Sequence, residues 1–90
     1  MSTLWIEDTE LHRALQKTTI SEFRVWTSLL LCVDENGHAS PPGVQEVAAG
    51  ASLSLRTTKR AIRELARQGL IALSQSGNGQ TTYKLNVRRE

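Results

Sequence analysis

Two helical patterns separated by only two residues constrain this fold more than any other feature of the sequence. The first pattern, residues 44–51, is short and rich in small side chains, and the second runs from about Ser54 to Gln68. Only Ser52 and Leu53 lie between them, so the chain must turn sharply. Ser54, which follows, is a residue type that caps the first turn of a helix. The sequence therefore predicts two helices that meet at a steep angle across a tight turn.

The side chains around this turn match the packing that such a pair of helices requires. A small residue must lie where the helices cross, and Ala48 supplies it. An apolar residue must fill the space between them, and we assign that role to Leu53. Ser52 takes a position in the turn where glycine is usual. In the first turn of the second helix, the Thr57 hydroxyl is placed to face either a phosphate or the helix start.

The second predicted helix has one basic face and one apolar face. Its basic residues recur at spacings of three and four, which puts them on one side of a helix: Arg56, Lys59, Arg60, Arg63 and Arg67. The opposite stripe is formed by Thr58, Ala61, Ile62 and Leu65. Glu64 interrupts the basic row.

Charge is divided unevenly along the chain. Residues 54–90 contain eight Lys and Arg against two Glu, whereas residues 1–53 contain three against seven Asp and Glu, for a net charge of +2 overall. A basic half joined to an acidic half suggests a surface that faces a polyanion, although a solvated helix face gives the same count. On charge alone the two interpretations stay open.

The sequence before the turn predicts two further helices. Thr9 caps a helix over residues 10–17, and a capping box of Thr19 and Glu22 opens a helix that runs to about Val33. The buried stripe of this second helix comprises Phe23, Trp26, Leu30 and Val33. We expect Cys32 to be a small core residue at its apolar end.

The sequence after the basic helix predicts a β-hairpin. Gly69 ends the helix as a left-handed residue. Leu70–Leu73 reads as a strand, Ser76–Gly79 as a hairpin turn, and Thr81–Val87 as a second strand. Three helices bury little surface alone, so the hairpin must pack against them.

The segment Val47–Thr58 resembles a helix-turn-helix motif, and residues 19–87 are similar to the winged helix-turn-helix superfamily. The stretches that surround it also resemble domains of phage and plasmid replication and regulatory proteins: Ile20–Phe23, Asp34–Gly37 and Ser40–Pro41. The sequence departs from the usual pattern at Ser52 and at Pro42, where a polar residue is common. The resemblance implies a mainly α fold with a small β-hairpin (α+β), namely a three-helix core plus a wing and an extra N-terminal helix.

The resemblance further implies that the basic helix enters the major groove of duplex DNA. The residues near its start then reach or support base-edge contacts: Ser54, Leu55, Arg56, Thr57, Lys59 and Arg60. Arginine pairs with guanine and leucine contacts a thymine methyl, whereas Arg63 and Arg67 lie further along and meet phosphates.

The wing is less informative. Its tip has no positive charge, so Gln75, Asn78 and Gln80 either donate hydrogen bonds to a minor groove or only stiffen the fold. Beyond the wing, Lys84, Arg88 and Arg89 either add phosphate contacts or are solvated.

The N-terminal segment is a candidate dimer surface. DNA sites are commonly read by two-fold dimers, and the N-terminal segment has more apolar side chains than a short exposed segment needs: Leu4, Trp5, Ile6, Leu11 and Leu15. The alternative is that these residues cap their own core. We divide the chain into an N-terminal extension, residues 1–18, a winged helix-turn-helix domain, residues 19–87, and a basic tail, residues 88–90.

The function expected from the sequence is sequence-specific binding of double-stranded DNA by a homodimer. The protein would be a transcriptional regulator, or a replication or partition factor of phage or plasmid type, in the cytoplasm at the nucleoid. The alternative is a winged-helix protein-interaction module that does not touch DNA. We expect no catalysis, no metal, no cofactor and no membrane association, because no nucleophile–base arrangement, Gly-rich phosphate loop, spaced Cys/His set or long apolar run is present.

Overall fold

The computed structural model describes residues 3–40, 43–75 and 81–89. In chain order these residues form β1 (Leu4–Ile6), α1 (Asp8–Lys17), α2 (Ile20–Leu30), β2 (His38–Ala39), α3 (Val44–Ala51), α4 (Leu55–Arg67), β3 (Ile71–Gln75), β4 (Thr81–Leu85) and β5 (Val87–Arg89). The strands make a three-stranded antiparallel sheet in the order β2-β4-β3 and a separate antiparallel pair, β1-β5. The predicted α+β class is confirmed.

The core lies where α2 packs against α3 and α4 with the larger sheet beside them. Trp26 and Leu29 of α2, Leu65 of α4 and Leu85 of β4 are almost completely buried. Close approach of α2 to α3 depends on Gly50, since a Cβ there would lie 2.6 Å from the Ser28 hydroxyl oxygen. Helix α4 packs on the core that α2, α3 and the larger sheet share.

The helix starts are set by local hydrogen bonds. The capping box of α2 is confirmed, because the Glu22 amide donates to the Thr19 hydroxyl at 3.2 Å and the Thr19 amide donates to the Glu22 carboxylate at 3.2 Å. The predicted cap at Thr9 is wrong. Helix α1 begins at Asp8 with Glu7 in the cap position, so Thr9 lies inside the first turn.

The end of α2 lies earlier than the apolar spacing predicts. The helix stops at Leu30, and Val33 instead makes an isolated bridge to Ala39. The assignment of Cys32 to the core is wrong for the same reason, because a residue in the turn after Leu30 no longer follows the buried face of the helix. The Cys32 side chain is exposed.

The chain ends are joined by a strand pair that the sequence patterns do not predict. The apparent strand 81–87 breaks at Asn86, and the residues that follow form β5, which pairs with β1 in the register Leu4↔Arg89 to Ile6↔Val87. Gly37 has a positive φ of 82° and lies against this break, where a Cβ would be 2.3 Å from the Val87 carbonyl oxygen. Residues 88 and 89, predicted as a basic tail, therefore have a strand backbone.

Within the described part of the chain, no helix combines the length and the apolar character that a membrane span needs.

Candidate nucleic-acid interface

The exposed face of α4 carries cations that have no partner among the described residues. Within the described residues, four basic side chains on this face are exposed and make no hydrogen bond or ion pair: Arg56, Lys59, Arg60 and Arg63. We call these residues the open basic row. Their spacing of three and four residues places them on the same side of the helix. The row is a positive surface open to solvent, which suits contact with a polyanion.

The opposite face of α4 fixes the direction of the open basic row. Thr58 and Leu65 are fully buried, and Ala61 and Ile62 are nearly so, which confirms the predicted apolar stripe. The Thr58 hydroxyl donates to the Ser54 carbonyl oxygen at 2.9 Å, so this buried polar group is paired. Because one face of the helix is locked into the core, the basic face must point outward.

The first turn of α4 is held by side chains at its start. The Ser54 hydroxyl accepts from the Thr57 amide at 3.1 Å and donates to the Thr57 hydroxyl at 2.9 Å. The predicted Ser54 cap is confirmed. Of the two directions open to the Thr57 hydroxyl, the structure has the one toward the helix start.

The turn between α3 and α4 places its two leucines differently. Ser52 adopts the left-handed conformation with φ 57°, which glycine usually takes, and the Leu53 amide donates to the Ala48 carbonyl oxygen at 3.0 Å. Leu53 packs against the core from a partly buried position, whereas Leu55 is 38% exposed. Leu53 thus fills the space between the helices, and Leu55 lies on the outer surface at the start of α4.

The last turn of α4 differs from the open basic row. The Arg67 Nε donates to both Glu64 carboxylate oxygens, at 3.1 and 3.0 Å, and Arg67 Nη2 also contacts Glu64 Oε1. Gln68 Nε2 donates to the same oxygen at 3.2 Å. Chiefly through the Arg67 hydrogen bonds, the pKa of Glu64 falls from 4.5 to about 2, so the carboxylate is ionised at neutral pH. Arg67, predicted as a phosphate contact, is therefore paired within the helix.

The basic residues after the wing are also engaged. The Lys84 ammonium donates to the Asn36 carbonyl oxygen at 2.7 Å and to the Leu85 carbonyl oxygen at 3.0 Å. The Arg88 guanidinium lies over the Trp5 ring at 5.9 Å from its centroid. Arg89 pairs through its backbone with Leu4. Of the predicted wing residues, Gln75 is exposed at the end of β3, while Asn78 and Gln80 lie outside the described residues.

The N-terminal apolar residues do not share one surface. Leu4 and Ile6 are partly buried against the core of their own chain. Trp5, Leu11 and Leu15 are 50%, 37% and 56% exposed. The structure therefore brings the first pair inward and leaves the other three available to a partner.

An exposed apolar residue that sequence reasoning missed lies beside Leu15. Ile20, the first residue of α2, is 78% exposed. With Leu15 and Phe23 it lines an open pocket of about 390 Å³ at the corner between α1 and α2. Local spacing offers no signal for this exposure, because Ile20 lies three residues before Phe23 and so fits the spacing of the buried stripe.

No group of three or more His, Cys, Asp or Glu side chains that would hold a metal ion occurs among the residues described.

Comparison with known proteins identifies the fold. No family model matches the sequence, and no curated protein matches it. Among solved structures, the chain is similar to a MarR family transcriptional regulator from Silicibacter pomeroyi DSS, with 24% sequence identity and a TM-score of 0.59 over 87% of this chain. The match covers 48% of that regulator, so this chain spans about half its length. The predicted winged helix-turn-helix fold is confirmed.

Proposed function

We propose that this protein binds double-stranded DNA in a sequence-specific manner, with α4 as the recognition helix in the major groove. The observation that carries the proposal is the open basic row, in which four neighbouring cations on a rigid helix have no partner among the described residues. Like charges held this close repel one another unless an anion lies between or above them. A DNA backbone supplies such anions at regular spacing.

The roles of the residues follow from their position along α4. Leu55, Arg56, Lys59 and Arg60 lie in the first two turns, which are the turns that reach base edges when a helix enters the groove. Arginine donates two hydrogen bonds to guanine, and the exposed Leu55 side chain fits a thymine methyl. Arg63 lies further along and contacts phosphate, while Ser54 and Thr57 hold the helix start.

Two biological processes are candidates, namely control of transcription and replication or partition of DNA. The similarity to a transcriptional regulator favours control of transcription, with the protein acting at the nucleoid in the cytoplasm. A role in replication or partition of phage or plasmid DNA is supported by the sequence resemblance alone. A protein-interaction module of the same fold needs no basic face, so the open basic row favours DNA.

We also propose a homodimer. The predicted surface comprised Leu4, Trp5, Ile6, Leu11 and Leu15. Leu4 and Ile6 pack on their own core, so the proposal rests on Trp5, Leu11 and Leu15, which are exposed. Sedimentation of the wild type and of Leu15→Asp tests it. We expect a dimer that dissociates in the variant, and a monomeric wild type at tens of micromolar would contradict the proposal.

Titration of random-sequence duplex at several salt concentrations tests DNA binding directly. Each phosphate that is neutralised contributes about 0.9 to the slope of log affinity against log salt. On random duplex no base sequence is matched, so all four cations of the open basic row lie against phosphates and give a slope of about −3 to −4 per subunit. A titration against genomic fragments then shows whether some sequences bind more tightly than the random duplex. No binding at low salt, or a slope near zero, would contradict the proposed function.

A further inference from the structure

Arg67 lies in line with the open basic row, but unlike the residues of that row it has a partner, Glu64. Arg67 follows Arg56 by eleven residues, which is close to three turns of helix, so the two side chains leave α4 in nearly the same direction. Both are exposed. Arg67 nevertheless donates to both carboxylate oxygens of Glu64, whereas Arg56 has no partner among the described residues.

We propose that Glu64 is a specificity-determining residue of the DNA interface, because it occupies Arg67 and so removes one cation from the attraction to phosphates. This inference rests on the proposed function of α4. It assigns to Glu64 a role opposite to that of its neighbours, since Glu64 weakens binding to every DNA sequence alike. The ligand affected is the sugar-phosphate backbone of duplex DNA.

The pair is electrically neutral to DNA even when Arg67 changes conformation. Gln68 Nε2 holds the Glu64 carboxylate independently, at 3.2 Å from Oε1. An Arg67 that turned toward a phosphate would leave this carboxylate as an unpaired anion beside the DNA backbone. The pKa of Glu64 is lowered to about 2 chiefly by Arg67, so this value belongs to the paired arrangement. The Arg67–Glu64 pair therefore contributes no net positive charge in either arrangement.

The effect on specificity follows from which contacts are lost. Contacts to phosphates strengthen binding to all sequences, whereas contacts to base edges distinguish one sequence from another. The base-reading positions, Leu55 to Arg60, lie toward the start of α4, four to nine residues before Glu64, whereas Arg67 lies three residues after it. By occupying Arg67, Glu64 reduces the contribution of phosphate contacts and so raises the ratio of specific to non-specific affinity.

The test is a double-mutant cycle on random-sequence duplex, read as the slope of log affinity against log salt. Glu64→Gln keeps the side-chain shape and frees Arg67, so we expect a slope steeper by about 0.9 and binding roughly eightfold tighter at 0.1 M salt. Arg67→Gln should flatten the slope by about 0.9 in the Glu64→Gln background, so that the double variant, which like the wild-type pair has no net charge, returns to the wild-type slope. Arg63→Gln should flatten it by about 0.9 in both backgrounds.

Glu35→Gln is the matched control, because Glu35 is an exposed acid in the turn after α2 and its replacement changes the net charge equally. Circular dichroism melting confirms that each variant is folded. The inference is overturned if Glu64→Gln binds like the wild type, if Glu35→Gln has the same effect, or if the double variant Glu64→Gln/Arg67→Gln keeps the steeper slope of Glu64→Gln. Wild-type protein that does not bind duplex DNA would instead overturn the proposed function itself, and with it this inference.

Discussion

The two ends of α4 carry similar residues in opposite circumstances. At the N-terminal end, Arg56, Lys59 and Arg60 are exposed and have no partner among the described residues. At the C-terminal end, the Glu64 carboxylate accepts hydrogen bonds from Arg67 and from Gln68. The difference arises from a single acid placed three residues before Arg67, where side chains on a helix meet.

This contrast shows that a count of charges does not locate a binding surface. The chain after residue 53 has eight basic residues, yet Arg67, Lys84 and Arg88 have internal partners. What distinguishes the open basic row is the lack of a partner within the described residues.

The largest effect is expected at the turn before the N-terminal end. Leu53→Asp places a carboxylate in a partly buried apolar site, which should cost about 3 kcal/mol or more and lower the melting temperature by well over 10 °C, on the order expected for a domain of this size. Leu55→Asp should melt close to the wild type but lose duplex binding, because Leu55 faces the proposed groove. Melting followed by circular dichroism, with DNA titration, measures both. Equal melting temperatures would contradict the inward and outward positions of these leucines.

The next largest effect concerns base reading by the N-terminal end. Arg60→Ala should weaken binding to a duplex selected from a random pool by about tenfold or more, because one two-point contact to guanine is worth about 1–3 kcal/mol. Its affinity for random duplex should fall less. Arg24→Ala, which removes an exposed arginine from α2, is the control and should stay within about twofold of the wild type. Equal losses for both variants would remove α4 from the role of recognition helix.

A smaller effect is expected from substitutions of the residues that flank the two ends of α4, Ser54 and Gly69. Ser54→Ala loses the hydrogen bond to the Thr57 amide, and Gly69→Ala forces an L side chain into a φ of +78°, so each should cost about 1 kcal/mol. Only Ser54→Ala should also weaken DNA binding, because it loosens the base-reading end. If Gly69→Ala reduced duplex affinity as strongly, the functional difference between the ends would not hold.

The smallest effect is a pH dependence of stability at the C-terminal end. The pKa of Glu64 is depressed from 4.5 to about 2, so the contribution of its pair with Arg67 is present above pH 4.5 and is lost as the pH falls toward 2. Urea midpoints of wild type and Glu64→Gln should therefore converge as the pH is lowered through this range. Parallel pH profiles for the two proteins would show that the pair contributes nothing to folding.

Local patterns predicted α4 and its surroundings because each depends on neighbouring residues. The Ser54 cap, the left-handed Gly69 and the buried stripe of Thr58, Ile62 and Leu65 are all fixed within one or two turns of helix. The length of α3 was also predicted, since small residues end at the turn at Ser52. These features position the exposed face of α4, which is the candidate interface.

The features that escaped prediction depend on contacts between distant residues. Spacing alone extended α2 to Val33, but pairing of Val33 with Ala39 ends the helix earlier. The pairing of β1 with β5 joins residues more than 80 positions apart, and no local pattern specifies it. Likewise, the hydrogen bond from Lys84 to the Asn36 carbonyl oxygen spans 48 positions, so only the folded structure shows that Lys84 has a partner.

The β1–β5 pairing also bears on the order in which the chain folds. It closes a loop of about 80 residues with three residue pairs, so the entropy lost on closure is regained only when the intervening helices have already brought the strands together. We expect this pair to form last and to open first. Amide hydrogens of β1 and β5 should exchange with solvent through local opening, while those of α2 and α4 require global unfolding. Helix α4 thus belongs to the part of the molecule that assembles early and persists longest.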